Sequence, residues 1–273
     1  MKSYSHVAQK LYNEPLLITP QRHSALCQLV EARMGASRLS DDNPDLAGDS
    51  NPDDSEIQRI ASTVIIPVHG TLVAHPEDIA MSECGCAMED LCAMIDTAEY
   101  DPKIKTVIYD FRTPGGTVTA IPETARKILN SRKQTVAFTN SECCSGGIYL
   151  ASQCQQFYAT QSSRVGSVGV YCMMLDMSKA MKKDGVKVNA ISAGKFKLLG
   201  AYWKEMSDEE KAIVQAGVDK IYAQFKDAME SHRVVSDEHF GNGLVFDGDD
   251  AAQMGFTDGV VEDLEEVLDL IEG

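Results

Sequence analysis

The chain has little with which to hold nucleic acid or to cross a membrane. Lys and Arg number 25 against 41 Asp and Glu, giving a net charge of −16, and no basic cluster interrupts that balance. A phosphate-neutralising face, and with it a nucleic-acid partner, is therefore excluded. No run of about 18 apolar residues occurs, and Met1-Lys2-Ser3-Tyr4-Ser5-His6 lacks the apolar core of a signal peptide. Neither a membrane anchor nor a secretory leader is expected, and the composition fits a soluble cytoplasmic enzyme. Histidine is scarce: after residue 145 only His232 and His239 occur, in a polar stretch far downstream. The eight cysteines show no zinc spacing, since Cys84-Gly85-Cys86 is followed by Cys92 with no histidine beside them, and the adjacent Cys143 and Cys144 cannot easily bridge each other. Reduced, partly buried thiols are expected, with no metal and no cofactor.

At 273 residues and 44 % hydrophobic content, the chain can bury the core of one catalytic domain with a small appendage. Residues 1–35 carry helical signals: Val7, Leu11 and Tyr12 precede Pro15-Leu16-Leu17-Ile18, and Thr19-Pro20 starts a helix through Leu26, Leu29, Val30 and Met34. Residues 36–58 are rich in Asp, Ser, Asn, Gly and Pro and read as an acidic flexible linker. Residues 59–273 read as the main domain. Its strands and helices alternate, with Ser62 to Val68 a strand, Met88 to Ala98 a helix, Val118 to Arg132 a helix with Pro122 in its first turn, and Thr135 to Thr139 a strand. That order predicts an α/β fold with parallel pairing. Further on, Ser207-Asp208-Glu209-Glu210 is a capping box opening a helix to about His232, whose stripe of Ile213, Val214, Val218, Ile221, Tyr222 and Phe225 is core or protomer contact.

The strand at Thr135 leads to Ser145-Gly146-Gly147-Ile148-Tyr149, a serine followed at once by two glycines and an apolar helix. Glycines let the backbone turn sharply and bring a substrate carbonyl close to main-chain N–H groups, where a helix N-terminus adds partial positive charge. A second strand–turn–helix unit runs from Lys105 through Thr113-Pro114-Gly115-Gly116, and Gly166-Ser167-Val168-Gly169-Val170 follows another short strand. Beyond these come Gly194-Lys195-Phe196-Lys197 and the late stretch from Phe246-Asp247-Gly248 to Asp258-Gly259.

Together with Pro67-Val68-His69-Gly70, these six motifs, in this order, resemble the S49 family of serine peptidases, the signal peptide peptidase A group, over roughly residues 60 to 262. The resemblance implies the fold of the Clp proteases and crotonases, a spiral of ββα units, and a Ser–Lys dyad. Ser145 would be the nucleophile. Lys197, three positions after Gly194, would be the general base, with Lys195 its rival, and Ser167 would orient the amine. Main-chain N–H groups of Gly115 or Gly116 and of Gly146 would form the oxyanion hole, the sequence leaving open which of the first two donates. Where the family commonly has Ser-Pro-Gly-Gly, this chain has Thr113-Pro114-Gly115-Gly116.

A serine hydroxyl attacks only when a base takes its proton, and a lysine serves only when neutral, so the unperturbed pKa of about 10.4 has to fall by several units. Phe196, Leu198 and Leu199 are the apolar neighbours expected to bury Lys197 and bring that about. The Clp proteases use a Ser-His-Asp triad instead, but the matching histidine position holds Val170. His69 is read as structural or groove-lining. Cys144, beside the serine, lacks the directly following Gly-Gly pair.

The leader Asn13-Glu14-Pro15-Leu16-Leu17-Ile18-Thr19-Pro20, a helix and an acidic linker resemble the S49 proteins of tailed phages and prophages that mature the capsid. The expected function is thus a serine endopeptidase cleaving phage scaffold and major capsid proteins in the host cytoplasm or a procapsid, assembled as a homo-oligomeric ring or dome. The alternatives are a cytoplasmic S49 peptidase that degrades peptides, a catalytically idle structural relative, and a crotonase-type acyl-CoA enzyme, which needs no Ser–Lys pair.

Overall fold

A computed structural model describes residues 10–36, 57–81, 85–235 and 240–272. The first elements are β1 (Pro15–Ile18) and α1 (Pro20–Ala36), the proline supplying a φ already suited to a helix start. β2 (Gln58–Ile60) and β3 (Thr63–His69) follow, then β4 (Thr71–Val73), β5 (Gly85–Ala87) and α2 (Met88–Tyr100). The next unit is β6 (Thr106–Arg112), β7 (Gly115–Thr117) and α3 (Ile121–Leu129); after it come β8 (Gln134–Thr139), β9 (Glu142–Cys144) and α4 (Gly146–Ala151). β10 (Gln156–Thr160), β11 (Arg164–Gly166) and β12 (Tyr171–Cys172) close the strand-rich part. The remainder is α5 (Ser178–Lys183), α6 (Asp208–Glu230), β13 (Val245–Phe246), α7 (Gly248–Gln253), β14 (Gly259–Val261) and α8 (Leu264–Glu272).

Long strand, short strand, helix is thus a repeating unit, as a ClpP/crotonase-like spiral requires. The long strands gather in one sheet of order β14-β10-β8-β6-β3-β2, parallel except for the β2 edge. β6 is central and buried on both faces, which its β-branched and aromatic composition permits. Val107, Tyr109 and Phe111 enter the main core, while Ile108 joins Ile65, Val136, Phe138, Val261 and Val267 on the opposite face, where α8 lies. This is the two-residue period of a strand read directly in packing. α3 buries Ile121, Thr124, Ala125 and Ile128, one helical stripe.

The short strands form two further sheets, of order β13-β11-β9 and β12-β1-β7-β4-β5. Two expectations change here. Pro15-Leu16-Leu17-Ile18 belongs to a strand inserted antiparallel between β7 and β12, because four successive apolar residues find unpaired strand edges on both sides. Thr135 to Thr139 does not feed Ser145 directly; β9 intervenes and moves the serine into the second layer. The expected linker falls almost wholly on residues 37–56, outside the described residues.

Candidate active site

The turn after β6 is tied to β9 strand to strand. Thr113 N–H donates to the Glu142 carbonyl (2.7 Å) and Cys144 N–H to the Thr113 carbonyl (3.0 Å). The Thr113 hydroxyl donates to the Gly70 carbonyl (2.6 Å) and accepts from Gly115 N–H (3.1 Å). That hydroxyl therefore sets the glycine turn, a task a serine in its place could also perform. The sequence showed the threonine but gave no sign of this role.

The two glycines occupy space that no other residue could enter. A Cβ on Gly115, whose φ is +94°, would sit 2.0 Å from the Leu17 carbonyl oxygen and 2.9 Å from the Gly146 nitrogen, and one on Gly116 would sit 1.8 Å from the Leu72 carbonyl oxygen. The Gly115–Gly116 turn and Gly146 are consequently next to each other, although they lie in different ββα units. Two backbone amides from separate units can converge on one oxygen only at such an approach.

Ser145 is 1 % exposed and has φ of +53°, an unusual conformation for a non-glycine residue. Its N–H donates to the Gly166 carbonyl (2.9 Å), and it precedes the six-residue helix α4. β9 and β11 run parallel with Cys144 opposite Gly166, so Ser145 and Ser167 are the next residues on neighbouring strands. Ser167, buried, has φ of +54° and donates its N–H to the Leu244 carbonyl. Strain of this kind costs of order 1–3 kcal/mol per residue and persists where surrounding contacts impose it.

Cysteine is a poor alternative nucleophile here. Burial, with Glu142 nearby, pushes the Cys144 thiol up to about 12, and burial raises Cys143 as well. The reactive species of a cysteine is the thiolate, which both sites suppress. His69, expected as structural or groove-lining, hydrogen-bonds through Nε2 to Asp110 (2.8 Å), a carboxylate also paired with Arg112 (3.0 Å).

The lysines lie elsewhere. Lys197 is exposed, on a segment without regular structure, whereas Ser145 is buried. The expected packing by Phe196, Leu198 and Leu199 is not found among the described residues: Phe196 is exposed and the leucines are only half-buried, because residues 186–197 pair with no described strand and no described residue covers them. Lys195 is held by Glu209 at 2.5 Å on the surface. Ser145, Ser167, Gly115, Gly116 and Gly146 are therefore brought together, while Lys197 stays on the surface.

The model of peptidase family S49 matches residues 127–271, more than half of the chain. The chain belongs to peptidase family S49. Within and around that family, capsid assembly protease C of Escherichia phage lambda is 25 % identical over 98 % of this chain and 65 % of its own length. The head–tail preconnector protein of Enterobacteria phage P21 is 25 % identical over 95 % of this chain and 56 % of its own. A putative protease of Methanocaldococcus jannaschii is 31 % identical over 61 % of this chain and 55 % of its own. The chain thus spans between about half and two thirds of the length of these relatives. No helix among the described residues is long and apolar enough to cross a membrane.

Proposed function

We propose that the chain is a serine endopeptidase of the Ser–Lys type that acts on phage scaffold and capsid proteins during prohead maturation. The observation that carries the reading is Ser145 at positive φ, at the end of β9 and beside the Gly115–Gly116 turn. In the reaction, neutral Lys197 Nζ takes the proton as Ser145 Oγ bonds to the substrate carbonyl carbon. The carbonyl oxygen becomes an oxyanion held by backbone N–H groups of the glycine turn and Gly146. The C–N bond then breaks as the amine takes the proton back from Lys197, and water, deprotonated in turn, hydrolyses the acyl-enzyme. Ser167, beside the nucleophile, orients the amine.

The reading requires Lys197 to reach a buried serine, so the segment bearing it has to be placed by something beyond the contacts described. The same stretch exposes Met177, Val186, Val188, Ile191 and Tyr202, apolar side chains suited to being covered. A second copy in a ring or dome, or closure of the segment over its own cleft, would supply the cover. The capsid role is favoured by the two phage proteins matched along nearly the whole chain.

The test is mass spectrometry of wild-type and Ser145→Ala protein incubated with scaffold and capsid proteins from the same genome. Fragments made by wild type and absent with Ser145→Ala, lost in Lys197→Ala but kept in Lys195→Ala, are expected. Equal cleavage by Lys197→Ala would overturn the base assignment.

A further inference from the structure

Three strands define a groove one strand wide beside Ser145, and the chain fills it with its own residues. β7 and β12 each pair antiparallel with β1, so they run parallel to each other on either side of Pro15–Ile18. β7 carries Gly115 and Gly116, and β12 follows shortly after Ser167. Leu17 lies opposite Gly116 and Ile18 opposite Gly115. Thr19 N–H donates to the Pro114 carbonyl (3.0 Å), and antiparallel pairs alternate between bonded and non-bonded. Counting from Thr19, the Leu17–Gly116 pair is bonded, which puts the Leu17 carbonyl on Gly116 N–H. The same oxygen lies 3.2 Å from where a Cβ on Gly146 would stand. A backbone carbonyl of this chain therefore occupies the meeting point of the glycine turn and the residue after Ser145.

The strand is secured from outside the main core. Leu16 and Ile18 join Leu11, Leu26, Cys27 and Val30 in a separate apolar cluster, against which Tyr171 of β12 packs. Tyr171 Oη hydrogen-bonds His23 Nδ1 of α1 (2.7 Å), and Lys10 pairs with Asp78. Leu17 points the other way, into the main core beside Leu72 and Gly146. β1 is thus held like a peptide: alternate side chains enter opposite sides while both backbone edges are bonded, the manner in which an extended ligand adds to a sheet.

We infer that Pro15–Ile18 is a built-in occupant of the peptide-substrate groove, with Leu17 in the position of the residue whose carbonyl is attacked. This rests on the reading of Ser145 as nucleophile. It makes β1 an autoinhibitory strand that a substrate has to displace, assigns Gly116 as the oxyanion donor of the glycine turn, and gives the substrate class as extended segments with an aliphatic residue before the scissile bond.

Binding tests this without needing catalysis. In full-length Ser145→Ala protein, the affinity of a fluorescein-labelled peptide Asn-Glu-Pro-Leu-Leu-Ile-Thr-Pro is measured by anisotropy, with and without loosening of β1. Leu17→Pro removes a ladder N–H, and the double change Leu16→Ser/Ile18→Ser undocks the strand from its outer cluster. Each is expected to tighten peptide binding at least about tenfold, since the internal competitor is removed. Unchanged affinity in folded variants whose β1 amides exchange freely would overturn the inference. Should both variants misfold, saturating peptide added to Ser145→Ala protein is expected to accelerate amide exchange at residues 16–18 and leave α6 unaffected; no acceleration overturns it. Peptide binding that follows this pattern in a chain whose wild type never cleaves would instead sink the peptidase reading and keep the groove.

Discussion

At the level of single residues, the site is built by backbone geometry that ordinary side chains resist. Ser145 keeps its positive φ because its N–H is bonded to Gly166 and its carbonyl accepts from Tyr149 N–H. Removing the hydroxyl does not relieve that strain, whereas removing Cβ does. Ser145→Gly is therefore expected to be more stable than Ser145→Ala by about 1 kcal/mol in denaturant melts, the relief outweighing glycine's extra unfolded-state entropy. Gly116→Ala has no such latitude, since its Cβ meets the Leu72 backbone, and loss of the folded state is the expected outcome by circular dichroism. His23 supplies a pH dependence. Its Nε2–H donates to the Leu11 carbonyl (2.8 Å), which can only accept, so Nδ1 accepts from Tyr171 Oη. Burial lowers its pKa, meaning that the docked state prefers neutral His23 and the undocked state binds the proton more readily. Docking is thus at full strength above the ordinary histidine value of about 6.5 and weakens as pH falls through the lowered one. The Tyr12 phenol and Cys27 thiol of the same cluster are raised by burial and stay neutral throughout. Amide exchange in α1, corrected for intrinsic rates, is expected to quicken as pH falls below about 6.5 in wild type and much less in His23→Gln.

At the level of elements, the helix that follows Ser145 depends on a distant one. Tyr149 of α4 meets Phe225 of α6 edge to face, with ring centroids 4.9 Å apart, and Phe225 and Met229 are buried in the main core. Phe225→Ala is expected to cost about 3–5 kcal/mol of stability, read from the denaturation midpoint, because the hole opens directly beneath α4. α6 was legible in the sequence: Ser207 accepts from Glu210 N–H, and the Glu210 carboxylate accepts from Ser207 N–H, as the four-residue pattern implied. β6, β8 and α3 were legible for a similar reason, each carrying a full period of its own pattern. β9 was not, since three residues, Glu142-Cys143-Cys144, are too few to show alternation. β1 was missed because Pro15-Leu16-Leu17-Ile18 is apolar throughout and its partners lie about a hundred residues away and more. Of the candidate site, the sequence motifs pointed to Ser145, Ser167 and the glycines, which the fold brings together, but the register that places Gly116 rather than Gly115 opposite Leu17 comes only from the ladder to β1.

At the level of the whole molecule, the chain has two unevenly finished parts. The parallel sheet and its helices bury their apolar faces, whereas residues 173–206 and the first half of α6 leave theirs open, with Ile213 exposed and Ile191 fully so. A segment that carries the proposed base and has no described residue over it is the part that an assembly would order, and this separates two architectures for the dyad. If a neighbouring copy supplies Lys197, mixing Ser145→Ala with Lys197→Ala subunits creates sites in which an intact serine meets an intact lysine. Activity then returns to roughly a quarter of wild type in an equimolar mixture that exchanges subunits freely, because a random neighbour pair has the right combination in about one case in four. If each chain closes on its own cleft, every subunit lacks one of the two groups and the mixture stays inactive at any ratio. The measurement is peptide hydrolysis after co-refolding, with subunit exchange verified by native mass spectrometry. Recovery of activity would also explain why the isolated chain keeps a strand of its own over a buried serine: the groove need open only where the base is already in place.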